Sequence, residues 1–376
     1  MNRNRYPHFI ILLLFLSLSF AFLIPANADH DPVPYIDETG NAETCADYQL
    51  LDTDHFADTA DLVLEGGWYV ISGNVTYNNR IEINAPYDPE IAEEYSLEPV
   101  RLILTDGCTL NLKQGIHLDS DNGLEIYSQS GGTGVLNASY DDTTDDDIPH
   151  AVIGGNAPRG RGGYLTINGG VINVTGSTAG AGIGGSVRGS LDALTINGGK
   201  VTVENTAGGA AIGVGLSYQG SNYGIVTING GEVYADSHYH GQRTSDAIGG
   251  HYECGGLKEL NINGGKVTAF GRYATVGMDP CAMMTYGTIH LGDSMKVSAG
   301  YDPDHVTPVA DAADRIDAIR SNACCIVEEE GFGTSSEPAD TASAFGSKSL
   351  PWITAIAFAA LAAVIIITRN HTPKGA

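Results

Sequence analysis

Between residues 160 and 270 apolar and polar positions alternate in short bursts. Leu165 and Ile167 alternate with Thr166 and Asn168; beyond a glycine pair, Ile172 and Val174 alternate with Val171 and Asn173. The same parity puts Val201/Val203, Val233/Ala235 and Val267/Ala269 on one side and Lys200, Glu232 and Lys266 on the other. A period of two is the mark of strands with one face buried. The bursts return with a period of about thirty residues, which is a solenoid signature.

Four segments align without gaps: Leu165-Thr-Ile-Asn-Gly-Gly170, Leu194-Thr-Ile-Asn-Gly-Gly199, Val226-Thr-Ile-Asn-Gly-Gly231 and Leu260-Asn-Ile-Asn-Gly-Gly265, with a degenerate fifth at Thr288-Ile-His-Leu-Gly292. A second motif alternates with the first, in Ala151-Val-Ile-Gly-Gly155, Ala181-Gly-Ile-Gly-Gly185, Ala210-Ala-Ile-Gly-Val214, Asp246-Ala-Ile-Gly-Gly250 and Ala274-Thr-Val-Gly-Met278. Each repeat therefore predicts two short strands hinged at Asn-Gly-Gly and a third at Ala-x-Ile-Gly-Gly. Asn-Gly between alternating strands is also a hairpin signal, and a propeller or sandwich is the competing architecture. A hairpin does not explain identical residues returning once per repeat, whereas parallel coils stacked about 4.8 Å apart do. The expected fold is all-β, a right-handed parallel β-helix over residues 98–300. It would carry an inner ladder of Ile167, Ile196, Ile228 and Ile262 and a hinge ladder of Asn168, Asn197, Asn229 and Asn263.

The flanks read differently. Residues 29–97 are expected to cap the solenoid, whose open end would otherwise template aggregation; strand-like stretches between residues 100 and 129 predict its first coils. Residues 301–350 read as an acidic, Ser/Gly-rich stalk with a short helix near 311–320. At the N-terminus Arg3 and Arg5, the run from Phe9 to Phe15 and Ala26-Asn27-Ala28 predict a signal peptide over 1–28. Residues 351–369 are long and apolar enough to span a bilayer, with Trp352 at one interface and Arg369 and Lys374 leading a cytoplasmic tail over 370–376. A sortase-like Leu350-Pro351-Trp352-Ile353-Thr354 lacks the glycine after threonine, so membrane anchoring is the expectation. The body would be a single-pass ectodomain at the cell surface.

Charge narrows the partners. The chain of 376 residues has a formal net charge of −26; setting aside Arg3, Arg5, Arg369 and Lys374 takes the exported part to −30. Such a field repels nucleic acid and anionic lipid and favours cations. The six cysteines lie in the exported part, where disulfides persist; Cys254 and Cys281, about one repeat apart, could join neighbouring coils, and the pairing of Cys45, Cys108, Cys324 and Cys325 is open.

The run from Leu102-Ile-Leu-Thr-Asp-Gly-Cys108 through Ala151-Val-Ile-Gly-Gly155 to the Thr-Ile-Asn-Gly-Gly and Ala-Gly-Ile-Gly-Gly repeats resembles bacterial and archaeal cell-surface β-helix proteins of the carbohydrate-binding-domain or pectate-lyase-like type. The resemblance covers roughly residues 98–300 and implies the architecture; it does not by itself imply an activity.

Three kinds of candidate site follow. Pectate-lyase chemistry needs calcium on carboxylates and a basic side chain to take the proton beside the uronate carboxyl; Arg159, Arg161 and Arg188 lie beside glycine corners and supply the candidate bases or uronate contacts. Asp141, Asp142, Asp145, Asp146 and Asp147 form an oxygen-rich segment that suits Ca²⁺ or simply solvates a loop. Tyr218, Tyr223, Tyr234, Tyr239, Tyr252 and Tyr273 are aromatics of the kind sugar rings pack against, with Tyr234 outward on its strand beside Asn173, Thr202 and Thr268. His238, His240 and His251 lack the spacing that marks a zinc site. Gly180-Ala-Gly-Ile-Gly-Gly185 matches G-x-G-x-x-G but precedes no helix and reads as a corner, and Gly131-Gly-Thr-Gly134 lacks the aspartate of a calcium nonapeptide repeat. The expected role is a non-catalytic adhesin or binder of acidic or neutral polysaccharide; the alternatives are a tethered polysaccharide lyase or hydrolase, and a structural surface-layer spacer.

Overall fold

A computed structural model describes residues 31–52, 62–141, 149–156, 160–216, 224–237, 245–250, 256–271, 283–284 and 287–333. The chain winds as a parallel β-solenoid with three sheets, of nine, ten and seven strands, which we name first, second and third in the order a coil visits them. One coil runs through Gly162–Ile167, Val171–Ser177 and Ile183–Gly184; the next through Leu191–Ile196, Lys200–Asn205 and Ile212–Gly213; the next through Ile225–Ile228, Glu232–Ser237 and Ile248–Gly249. Every neighbouring pair among these is parallel and in register, Ile167 on Ile196 on Ile228 on Ile262, and Ile172 on Val201 on Val233 on Val267. The ladder starts earlier than the strict repeats, with Gln49–Leu51 and Gly67–Ile71 already pairing in the first sheet.

The interior is one continuous apolar column. Ile167, Ile172, Ile196, Val201, Ile228, Val233 and Ile262 are all buried, each contributing about 1.5–3 kcal/mol by leaving water. The glycines of both motifs follow from how closely the coils approach. At the hinge only the second glycine needs positive φ, +83° at Gly199 and +79° at Gly231, and a Cβ on either would lie 2.5 or 2.6 Å from a glycine carbonyl of the preceding coil. In the third sheet Gly154, Gly184 and Gly213 have φ between +129° and +145°, and a Cβ there would fall 1.9–2.2 Å from the carbonyl oxygen of the matching glycine one coil on. No L side chain fits such a position, which accounts for the glycine that follows Ile or Val in every copy of this motif.

Both ends depart from the pattern. At the N-terminal end an antiparallel hairpin, Val33–Ile36 with Ala42–Cys45, lies on the outward face of the first sheet, where Cys45, Val70, Ile103 and Tyr127 form a second small core. At the C-terminal end, Cys324–Glu329, inside the segment expected to lead out as a stalk, returns as a strand. It inserts antiparallel between Lys266–Phe270 and Met295–Gly300, placing Val327 between Val267 and Val297 and Glu328 between Lys266 and Lys296. The apolar parity of Val327 and Cys325 matches that of the strands on either side, so the insertion continues the core. Before it, a 3-10 turn at Ala312–Asp314 runs into the helix Arg315–Ser321. The Asp311 carboxylate caps that turn by accepting from the Ala313 N–H at 2.9 Å. Ile319 is buried, and Arg315 and Arg320 donate to the carbonyls of Met295 and Gly287, so the helix closes this end.

Candidate functional site

The outward residues of the second sheet form columns with one residue per coil. One column runs Thr76, Asn111, Asn137, Asn173, Thr202, Tyr234, Thr268. Its amides chain donor to acceptor: Asn173 Nδ2 donates to Asn137 Oδ1 and Asn137 Nδ2 to Asn111 Oδ1, both at 2.8 Å. An amide has two N–H donors and two acceptor lone pairs, so each keeps hydrogen-bonding capacity after its ladder contacts. Tyr234 continues the stripe as a half-buried ring whose hydroxyl donates to Asp236 Oδ2 at 3.3 Å. A parallel column carries Thr175, Glu204, Asp236 and Phe270. The result is a flat strip of amide, hydroxyl, aromatic and carboxylate groups at about 4.8 Å intervals along the solenoid axis.

The hinge asparagines stack separately. Asn197, Asn229 and Asn263 each donate to the asparagine one coil back, at 2.8–2.9 Å, ending on Asn168. Asn168 and Asn197 are buried and Asn229 and Asn263 exposed, so this ladder joins corners and offers only its far end to solvent.

The candidate arginines separate. Arg161 pairs with Asp192, whose buried carboxylate also accepts from the Ser120 hydroxyl and the Asp121 N–H, each at 3.0 Å. Its charge is thus neutralised within the corner. Arg188 is exposed at φ +65° and makes no side-chain hydrogen bond or ion pair among the described residues. Arg159 lies outside the described residues, as do Tyr218, Tyr223, Tyr239, Tyr252, Tyr273, His238, His240, His251, Asp142, Asp145, Asp146, Asp147, Cys254 and Cys281. Asp141 ends the strand Val135–Asp141, in register with Ser177. Among the described residues no three His, Cys, Asp or Glu side chains converge as metal ligands. Cys45, Cys108 and Cys325 are buried free thiols; burial first, then the neighbouring Cys324, pushes the Cys325 thiol up, which keeps it unreactive. Among the described residues no helix is long and apolar enough to cross a membrane, and residues 1–30 and 334–376 lie outside them.

Two groups were not legible in advance. Glu204 and Asp236 sit at the outward parity already assigned through Tyr234, and extending that parity by two positions would have found them. The other is Arg80, whose guanidinium donates to the Ala151 carbonyl at 2.7 Å, to Asn156 Oδ1 at 3.2 Å and to the Ile116 carbonyl at 3.5 Å. Burial lowers it to about 10, so it stays charged at neutral pH. Beside it His117 lies 3.0 Å from Asp119. Burial alone would raise the Asp119 carboxyl, but His117, the Asn156 N–H and Arg80 hold it below the ordinary value. Arg80 spends its terminal donors on neighbouring coils, so the group acts as a staple. Nothing in the local sequence pattern marks it, because its partners come from two later coils.

Against known proteins the repeat is what registers. Residues 165–187 and 260–282 match a family model described as a beta helix repeat. No curated protein and no solved structure matches the chain. The matched segments contain the Ile-Asn-Gly-Gly hinge and the strands beside it, including Asn173 and Thr268 of the outward column.

Proposed function

We propose that the chain is exported, held at a membrane by residues 351–369, and displays its β-helix, wound right-handed as parallel crossovers are, as a non-catalytic adhesin that binds polysaccharide. The observation that carries this reading is the outward column of the second sheet, Asn111, Asn137, Asn173, Thr202, Tyr234 and Thr268 in register. A polysaccharide presents hydroxyls at regular intervals and an apolar ring face; amides and hydroxyls once per coil suit the first, and a half-buried tyrosine suits the second. Tyr218, Tyr223, Tyr239 and Tyr252, which lie outside the described residues, are further candidate sugar contacts by residue type.

The lyase alternative needs a basic side chain free to take a proton; Arg161 is already engaged by Asp192, which leaves the exposed Arg188 as the described candidate for that role. The test is retention of residues 29–345 on a glycan array and in polysaccharide pull-downs. It is run with and without Ca²⁺ because Asp141, Asp142, Asp145, Asp146 and Asp147 form a carboxylate-rich segment suited to that ion. Retention on one polysaccharide class, lost in Tyr234→Ala, is the expected outcome. No retention under either condition would leave a spacer, and release of unsaturated product from polygalacturonate would make the protein an enzyme.

A further inference from the structure

Asn-x-Ser/Thr, with x other than proline, is the acceptor sequence for N-linked glycosylation of exported chains. It occurs at Asn74-Val-Thr76, Asn137-Ala-Ser139, Asn173-Val-Thr175 and Asn370-His-Thr372. Their places in the fold separate them. Asn137 and Asn173 are half-buried on strands with a neighbour on each side. Their Nδ2 atoms donate along the amide ladder, to Asn111 Oδ1 and Asn137 Oδ1, both at 2.8 Å. A transferase could take up either segment only by breaking the sheet on both sides. Asn370 lies outside the described residues, in the tail proposed to face the cytoplasm.

Asn74 differs on each count. It opens the strand Asn74–Tyr77, the N-terminal edge of the second sheet, which pairs with Thr109–Leu112 on one side and, among the described residues, with no strand on the other. Asn74 and Thr76 are exposed while Val75 and Tyr77 are buried, so the amide and the hydroxyl two residues on share one open face. Asn74 makes no side-chain hydrogen bond among the described residues. The Thr109 and Lys113 N–H groups donate to the carbonyls of Gly73 and Tyr77 at 2.9 and 3.0 Å. Backbone groups alternate sides along a strand, so those of Asn74 and Thr76 point away from the sheet, towards its open edge.

We propose that Asn74 is an N-glycosylation site. The inference rests on the export reading, because the glycan donor is met on the far side of the membrane. A membrane-bound transferase supplies a glycan carried on a lipid diphosphate. Asn74 Nδ2 forms a bond to the sugar's anomeric carbon as the bond from that carbon to the diphosphate oxygen breaks. The lipid diphosphate leaves with the electron pair, and the amide gives up one proton to a base of the transferase. A glycan there also protects the fold. An open strand edge with unpaired N–H and C=O groups templates pairing with other chains, and a bulky, hydrated group on Asn74 covers that edge. The amide ladder stays unmodified, so the outward column keeps its groups for the proposed polysaccharide.

The test uses the full-length chain isolated from the cells that make it, read by intact mass, N-terminal sequencing and peptide mass spectrometry. The expected result is a chain that starts near Asp29 and carries a glycan on the peptide containing Asn74, with Asn137, Asn173 and Asn370 unmodified. Asn74→Gln and Thr76→Val should each remove the mass of that glycan, and Thr76→Ser should keep it. These substitutions fall on exposed positions and leave Val75 and Tyr77 in the core. A mass unchanged by Thr76→Val would overturn the assignment, as would a glycan on Asn137 or Asn173 in place of Asn74. A chain processed at its N-terminus but unmodified would overturn the inference and leave export standing. An unmodified chain that retains residues 1–28 and stays in the cytoplasm would remove the export reading, and the inference with it.

Discussion

Two outward faces of the same solenoid carry aromatic residues, and among the described residues only one is roofed. On the first sheet Trp68, Val70, Ile103 and Tyr127 project outward, and the hairpin of Val33–Ile36 and Ala42–Cys45 covers them. Tyr35 of the hairpin stacks within 4.9 Å of Trp68 and 5.2 Å of Tyr127, and Arg101 sits 5.3 Å over the Trp68 ring while pairing with Glu125. On the second sheet the outward column is amide, hydroxyl and one tyrosine, and no such hairpin lies on it among the described residues. The strand geometry is the same in both places. Parity says which side a residue faces, and the rest of the chain decides whether that side becomes core or surface.

The comparison assumes that both faces hang on one rigid backbone, and the largest expected effect comes from breaking it. In Gly184→Ala the new Cβ would lie 2.0 Å from the Gly213 carbonyl oxygen at a φ of +145°. Neither backbone can give without parting the coils. A loss of about 3 kcal/mol or more is expected, read as a collapse of the urea midpoint with both faces affected together.

The roofed face should respond as a core does. Ile103 is fully buried beside Val70 and Tyr127, so Ile103→Ala is expected to cost about 2–5 kcal/mol, with the hairpin exchanging its amide protons faster than the coils beneath. A loss below about 1 kcal/mol would show that the hairpin rests on the sheet without packing on it. Tyr127 sharpens the same point through pH. Burial, then the charge of Glu125 2.8 Å from its hydroxyl, pushes the Tyr127 phenol above its ordinary value. A group raised in the folded state contributes stability that is complete below the unfolded pKa and is lost as pH rises towards the folded one. Stability should therefore fall above pH about 10, by at most about 1.4 kcal/mol per pH unit from this group. Tyr127→Phe should flatten that limb; an unchanged alkaline slope would show that the phenol is not held under the hairpin.

How far the fold could be read in advance depended on repetition. Leu165, Ile167 and Asn168 recur in later coils with the same neighbours, so parity and period together place them in ladders before any coordinates. The hairpin and the strand Cys324–Glu329 occur once. Their sequences alternate well enough to be strands, but nothing local says that Glu328 belongs between Lys266 and Lys296, since that partnership closes a gap of more than fifty residues in one direction and about thirty in the other. The candidate site divides the same way. Tyr234 was legible from parity and its neighbours Thr202 and Thr268 from the repeat, whereas the pairing of Arg161 with Asp192 depends on how two corners meet.

The smallest expected effect is the one that separates the faces most cleanly. Tyr234 is half-buried, its register neighbours are Thr202 and Thr268, and its hydroxyl makes a long 3.3 Å contact with Asp236. Removing the ring opens no cavity in the apolar column, because Val233 and Ala235 on either side of it point inward and keep their contacts. Tyr234→Ala should thus change the unfolding free energy by about 1 kcal/mol or less, well below Ile103→Ala on the roofed face. A cost equal to that of Ile103→Ala would make Tyr234 a packing residue like Tyr127, and the open face would then need another aromatic to bind sugar. A small cost leaves a tyrosine that folding does not require, on a strip whose amides keep hydrogen-bonding capacity beyond their ladder contacts, which is how a residue kept for a ligand should behave.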